Sequence, residues 1–271
     1  MSRAGGITLL ALAVAPWLAC VHAGTTSTSV DVRGATGPAD TVRVLAYNIH
    51  HAEGMDGVLD LERIATLIRR VDPDLVAIQE VDSVTTRTGR VDQASELGRL
   101  TGLDPVFGSF MPYREGAYGM AVLSRWPIAR SRNLRLPDGE EPRTALSIVV
   151  TLPASGGELR FVGIHLYATE EERTAQADRL EELLADSRVP TILAGDFNST
   201  PQSAVLAKLG RRWRVVEKGE DHLTFPAWDP EREIDYILLR PTDGFRVLGQ
   251  RLLDEPVASD HRPVVVDLVV R

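Results

Sequence analysis

Thr191-Ile192-Leu193-Ala194-Gly195-Asp196-Phe197-Asn198-Ser199-Thr200-Pro201 runs from apolar and β-branched residues straight into an acid, an amide and two hydroxyls. Residues 191–194 read as a buried strand, and Gly195 lets the backbone turn sharply so that Asp196 and Asn198 project from its end. Thr200 is placed to cap a new helix with Pro201 at its first position. A carboxylate and an amide two residues apart at a strand's C-terminal end, ahead of a helix, suit a water molecule or an anionic phosphate. An ordinary Asx turn has the same residues, so the surrounding chain decides.

Upstream, residues 159–164 form an apolar strand that ends in His165. Thr169 and Glu172 make a capping box for a helix that buries Ala177, Leu180, Leu183 and Leu184. Pro190 stops that helix before the opening stretch. The same order occurs near the start of the chain. A strand at 42–47 delivers Asn48, a helix follows with Leu61, Ile64, Ala65 and Ile68 on one face, and a strand at 75–78 ends in Gln79-Glu80. Asp60 caps the helix and Pro73 closes it. Asn48 precedes Glu80 by 32 residues and His165 precedes Asp196 by 31. Two such units, each exposing one amide or imidazole and one acid, point to two sheets related by a pseudo-twofold around one polar cleft. Between them lie a helix at 93–101 stopped by Gly102 and strands near 105–107, 119–123, 128–134 and 145–152. After them come a short helix at 203–209, a strand at 234–239 that begins beside Asp235, and a last strand at 264–269. Asp235 has apolar neighbours, which makes a free carboxylate costly, so a partner is expected.

The chain has 271 residues, 44% hydrophobic, with one cysteine and a formal charge of −8. That composition supplies ample core and excludes a protein whose whole surface is basic enough to grip duplex nucleic acid through its phosphates. Residues 1–23 carry one charged side chain, Arg3, then the apolar run 7–15, and close on Val21-His22-Ala23, the small-x-small pattern of a signal peptidase site. Leu18-Ala19-Cys20 partly matches a lipoprotein signal, so a lipid anchor at Cys20 and plain secretion are both open. Residues 24–40 read as a flexible linker and 41–271 as one folded domain. The expected location is outside the cytoplasm: periplasmic, secreted or membrane-anchored.

The acids, amides and imidazoles at strand ends are Asn48, Glu80, His165, Asp196, Asn198, Asp235, Asp260 and His261. Oxygen-rich ligands with few imidazoles favour a hard cation, Mg2+ or Mn2+. There is no zinc-protease, serine-hydrolase or P-loop motif. Tyr47-Asn48-Ile49, Gln79-Glu80, Gly195-Asp196-Phe197-Asn198, Ile234-Asp235-Tyr236 and Ser259-Asp260-His261-Arg262-Pro263 together resemble the ordered motifs of the endonuclease/exonuclease/phosphatase family. Tyr118-Gly119-Met120-Ala121 fits too, with Met120 where many relatives carry Asn. The resemblance implies a four-layer α/β sandwich: two mixed β-sheets packed face to face, helices outside, and the site at one rim.

The resemblance also implies roles. Glu80 would be the principal metal ligand, with Asn48 and Asp260 beside it. Asp196, helped by Asn198, would orient or deprotonate the attacking water. His261, held by an acid for which Asp235 is the candidate, would donate to the phosphate, with His165 as a second donor. Arg143 and Tyr118 stand on the substrate side, although an arginine that opens a strand is by default exposed. His50 and His51 border Asn48 and are expected to be solvated rather than ligands. The expected activity is that of a monomeric phosphodiesterase acting on a small or lipid-derived phosphoester. The alternatives are an exported nuclease, with Arg125, Arg130, Arg132 and Arg135 as a locally basic face, and a non-catalytic binding module. A lipid substrate would call for exposed apolar loops, for which Phe107, Phe110, Met111, Tyr113 and Trp126 are the candidates.

Overall fold

The computed structural model describes residues 40–185 and 188–271. The expected signal peptide, Cys20 and all of the linker except Asp40 lie outside the described residues. Among the described residues no helix is long and apolar enough to cross a membrane. In chain order the elements are β1 (Asp40–Asn48), α1 (Leu61–Val71), β2 (Leu75–Ser83), α2 (Gln93–Thr101), β3 (Asp104–Tyr113), β4 (Gly116–Ser124), β5 (Ile128–Arg135) and β6 (Thr144–Thr151). They continue with β7 (Glu158–His165), α3 (Glu170–Leu184), β8 (Thr191–Asp196), α4 (Ala204–Leu209), β9 (Arg214–Val215), β10 (Asp235–Arg240), β11 (Phe245–Leu252) and β12 (Val264–Val270).

The strands form two six-stranded sheets, ordered β11-β12-β1-β2-β4-β3 and β5-β6-β7-β8-β10-β9. Each is mixed, because β1 runs parallel to β2 and β7 parallel to β8 while the other pairs are antiparallel. Both parallel pairs are crossovers through a helix, α1 in one and α3 in the other, the connection that parallel strands require. The two sheets are therefore copies of one wiring plan, the repeat expected from the matched spacings.

Side-chain alternation along the strands produces the four layers. Val42, Val44 and Ala46 of β1 pack into the cluster between the sheets with Ile148, Phe161, Ile192 and Ile237. Leu45 and Tyr47, on the opposite face, pack with Ile64 and Ile68 of α1 and Leu97 of α2. On the far side of the second sheet, Val162, Ile164 and Leu193 pack against Ala177, Leu180 and Leu184 of α3, with Leu183 only partly buried. Each fully buried aliphatic side chain contributes about 1.5–3 kcal/mol relative to exposure, so these three clusters outweigh any surface ion pair.

Helix starts follow local chemistry. Asp60 accepts the N–H of Arg63 at 2.9 Å and Asp92 that of Ser95 at 3.2 Å. Four sequence expectations shift. The linker ends one residue early, since Asp40 opens β1 and its buried carboxylate accepts the N–H groups of Ala154 and Ser155 at 2.7 and 3.0 Å. Thr200 is not a cap: residues 200–203 form a turn, and α4 starts only after Ser203, whose hydroxyl accepts the Leu206 N–H at 3.2 Å. Strand β2 does not stop at Glu80 but bulges there and runs on to Ser83. Strand β11 is an addition, an edge strand whose charged and half-buried residues give little apolar pattern.

Candidate active site

The opening stretch builds one half of the site. Gly195 has φ +143°, and a Cβ there would fall on the carbonyl oxygen of Ile164 in β7. Only glycine lets β7 and β8 approach this closely, which sets His165 level with Asp196 across the parallel pair. Phe197 is buried edge-on against Tyr236, ring centroids 5.4 Å apart, and fixes the chain beyond the strand. Asn198 then takes the left-handed conformation, φ 48°, that asparagine tolerates. Its N–H donates to Asp196 Oδ1 at 2.7 Å, an Asx turn, and its side-chain amide donates to Leu166 O at 2.9 Å. The turn is real, and it leaves Asp196 Oδ2 turned toward the cleft.

The other half comes from β1 and β2. Asn48 Oδ1 accepts the N–H of His50 at 3.1 Å, so its amide nitrogen faces inward. That nitrogen lies 3.1 Å from Glu80 Oε1, 3.3 Å from Asp196 Oδ2 and 3.4 Å from His261 Nε2. Asn48 thus joins the two sheets at their rim. Glu80 has φ 59°, outside the range a glutamate prefers, because the register with β4 slips between Gln79 and Val81. Such bulges re-aim a side chain beside a site. This one delivers Glu80 to Asn48.

His261 completes the cluster. Its Nδ1 lies 2.9 Å from Asp235 Oδ2, the partner that the buried Asp235 required. Asp235 is also level with Asp196 across β8 and β10. Burial alone would lower the His261 pKa, but the charge of Asp235 and its hydrogen bond, with Asp196 behind, push it up to about 10. Asp196 is pushed up to about 7, by burial first and then by Asp235. His165 Nε2 lies 3.5 Å from Asp196 Oδ2, and burial, then Arg143 and His261, hold its pKa well below the ordinary imidazole value. These surroundings favour the charged form of His261 and the neutral form of His165.

Two residues passed over in the sequence hold the frame. Ser259 Oγ donates to the carbonyl of Asn48 at 2.7 Å and accepts the His261 N–H at 3.3 Å. Buried Thr224 accepts the N–H groups of Ile234 and Asp235 at 3.1 and 3.3 Å. The Ser259 hydroxyl belongs to the quoted motif and was readable; Thr224 lies in a loop with no pattern. Asp260, half-buried, lies 3.3 Å from Ser259 Oγ, the hydroxyl that also reaches the Asn48 carbonyl.

A cleft of about 350 Å³ opens beside the cluster, lined by Glu80, Tyr118, Arg143, His165, Asn198 and Arg87. Arg143 is not exposed, as a strand-opening arginine would be by default. It is 5% accessible, paired with Glu141 at 2.5 Å, and held over the rings of Phe110, Tyr167 and Tyr118 at 4.9, 5.4 and 5.9 Å. Burial, then the charge of Glu80, raises the Tyr118 hydroxyl well above its ordinary range. Among the described residues two groups bring three ligand atoms within 4.8 Å of one another: Asp196 with Asp235 and His261, and Glu80 with His50 and His51. Either has the donors for a divalent cation.

Paired β-sheets with an acid–imidazole cluster at the shared rim describe a hydrolase of phosphoester bonds. Residues 45–261 match the model of the endonuclease/exonuclease/phosphatase family, and the chain belongs to that family. It is 28% identical over 242 residues to the uncharacterized protein YbhP of Escherichia coli (strain K12), covering 83% of this chain and 95% of YbhP. Its fold is similar to that of a Bacteroides thetaiotaomicron mannosyl-6-phosphatase, with a TM-score of 0.69 and 20% identity over 84% of this chain and 99% of the other. The human nocturnin catalytic domain, solved with a bound sulfate anion, has a TM-score of 0.68 and 22% identity over 87% of this chain and 96% of its own.

Proposed function

We propose that the protein is an exported, Mg2+- or Mn2+-dependent phosphodiesterase acting on a small or lipid-derived phosphoester. The observation that carries this is the contact of Asn48 with Glu80, Asp196 and His261, which brings a metal side and a water side to one point. A hard cation would be held by Glu80, a half-buried carboxylate open to further oxygen ligands, with Asp260, also half-buried, proposed as the second acid. Asn48 would have to turn its amide to join them, because its oxygen is engaged by His50. A bound cation supplies charge neutralisation on a phosphate oxygen and on the leaving group.

The chain's own groups supply the rest. Asp196 Oδ2 accepts a proton from the attacking water while the Asn198 N–H fixes its other oxygen. His261, kept protonated by Asp235, donates to the phosphate as charge develops. His165 adds a neutral hydrogen-bonding ring, and Arg143 and Tyr118 line the wall where the substrate's remaining groups would lie.

The substrate reading rests on surface chemistry. Arg125 is paired with Asp72 and Asp74, Arg130 with Glu158 and Arg135 with Asp138, so three of the four arginines proposed as a nuclease face are already neutralised. Phe110 is buried and Trp126 packs against the core between the sheets, while Met111 and Tyr113, half-buried against the same core, also line the cleft. Phe107 packs against the α1 side. Exposed apolar side chains occur at Val84, Val91 and Trp228, and at Met55, Val58, Leu59 and Val257, whose loops meet through the Met55 N–H and Val257 O, two residues before Ser259. They favour an ester with an apolar substituent. Hydrolysis of bis(p-nitrophenyl) phosphate with Mg2+, abolished by EDTA and reduced about 10²–10⁴-fold in His261→Ala, is the expected result. Wild-type protein inert toward this ester and toward DNA, sphingomyelin and phosphoinositides would leave the binding-module reading.

A further inference from the structure

The turn after β1 carries a donor set of a different kind. His50, His51 and Ala52 take consecutive left-handed conformations, φ 46°, 44° and 65°. None is glycine, and each such residue costs about 1–3 kcal/mol. The strain is held in place from several sides: Asn48 Oδ1 accepts the His50 N–H, and buried Gln93 of α2 donates to the His51 carbonyl at 2.7 Å. The two rings meet edge to face, 4.6 Å between centroids. His51 is 7% accessible, contrary to the solvated position expected from sequence.

One residue, Glu53, fixes both rings. His50 Nδ1 lies 3.0 Å from the Glu53 carbonyl, and His51 Nε2 lies 3.2 Å from the Glu53 carboxylate. Both Glu53 groups can only accept, so those nitrogens carry the protons of the neutral rings. The lone pairs are left on His50 Nε2 and His51 Nδ1, and His51 Nδ1 is buried with no hydrogen-bond partner. Backing of one ring nitrogen by a carbonyl or carboxylate is what orients metal-binding histidines.

We propose that His50, His51 and Glu80 form a site for a transition-metal ion such as Mn2+, Co2+ or Zn2+. One ligand atom from each lies within 4.8 Å of the others. Two imidazoles and one carboxylate favour such ions over Mg2+, and the half-buried His50 and Glu80 leave room for water to complete the shell. The site shares Glu80 with the proposed phosphoester centre and to that extent rests on that reading.

The test is Mn2+ binding to the full chain stripped with EDTA, followed by pulsed EPR for coupling to imidazole nitrogen. Wild-type protein should show nitrogen coupling. His50→Ala and His51→Ala should lose it and bind Mn2+ at least about tenfold more weakly, and Glu53→Gln, which keeps the ligands but alters their backing, should weaken binding about tenfold. His261→Ala, which removes the imidazole of the other cluster, should keep the coupling. Absence of nitrogen coupling in wild type, coupling unchanged in whichever histidine variants fold, or Mn2+ affinity unchanged in Glu53→Gln overturns the site. Mg2+-dependent diester hydrolysis by wild type is the separate arm: if it persists without nitrogen-bound Mn2+, only this inference fails.

Discussion

Asp196 and His261 share a space nearly closed to water, and their protonation sets when the site works. Asp196 must be ionised to accept a proton, and its pKa is pushed up to about 7; His261 must be protonated to donate, and its pKa is pushed up to about 10. For metal-supported hydrolysis, kcat/KM should therefore rise as pH passes about 7 and fall as it passes about 10. Asp235 raises both groups, so Asp235→Asn should move both limbs to lower pH, which a pH–rate series on a diester would show. Asp196→Asn should cut turnover about 10²–10⁴-fold with metal affinity kept. Glu80→Gln should weaken the metal itself, as titration calorimetry would record; equal loss of metal in both variants would refute this division of labour. The residues meeting at Asn48 were legible because each sits in a recognisable string, although Glu80 proves to lie at a bulge inside β2 and His261 in the loop before β12. The setting of Arg143 was not, because Phe110, Tyr118 and Tyr167 reach it from separate parts of the chain.

At the scale of the element, the start of α1 and the parallel crossovers were readable, since a cap such as Asp60 acts within three residues of itself, whereas Thr200 is no cap and α4 starts only after Ser203. The bulge at Glu80 was not, because its cause is a register slip against β4, more than thirty residues away. Gly195 lies between these cases: its need to turn was visible, but the oxygen that forbids a side chain belongs to β7. Gly195→Ala should destabilise the fold by at least about 2 kcal/mol, through a forbidden φ and a backbone clash. Urea unfolding at constant m-value would measure it. A neutral result would mean that β7 and β8 can separate without loss.

The whole molecule explains why a repeat hidden in the residue spacing was informative: each sheet supplies one βαβ crossover, and the cluster lies where their strand ends meet. Charge belongs to this scale as well. With a formal charge of −8 and Arg125, Arg130 and Arg135 in ion pairs, the protein should show no DNA binding by fluorescence anisotropy at physiological salt. Tight binding with a steep salt slope would restore the nuclease reading.

Asp40 pairs with Val270 at one end of β1 and β12, while Asn48 and the loop carrying His261 stand at the other. Nine residues of strand separate the two poles, about 30 Å. Whatever precedes residue 40 therefore attaches at the pole remote from the chemistry.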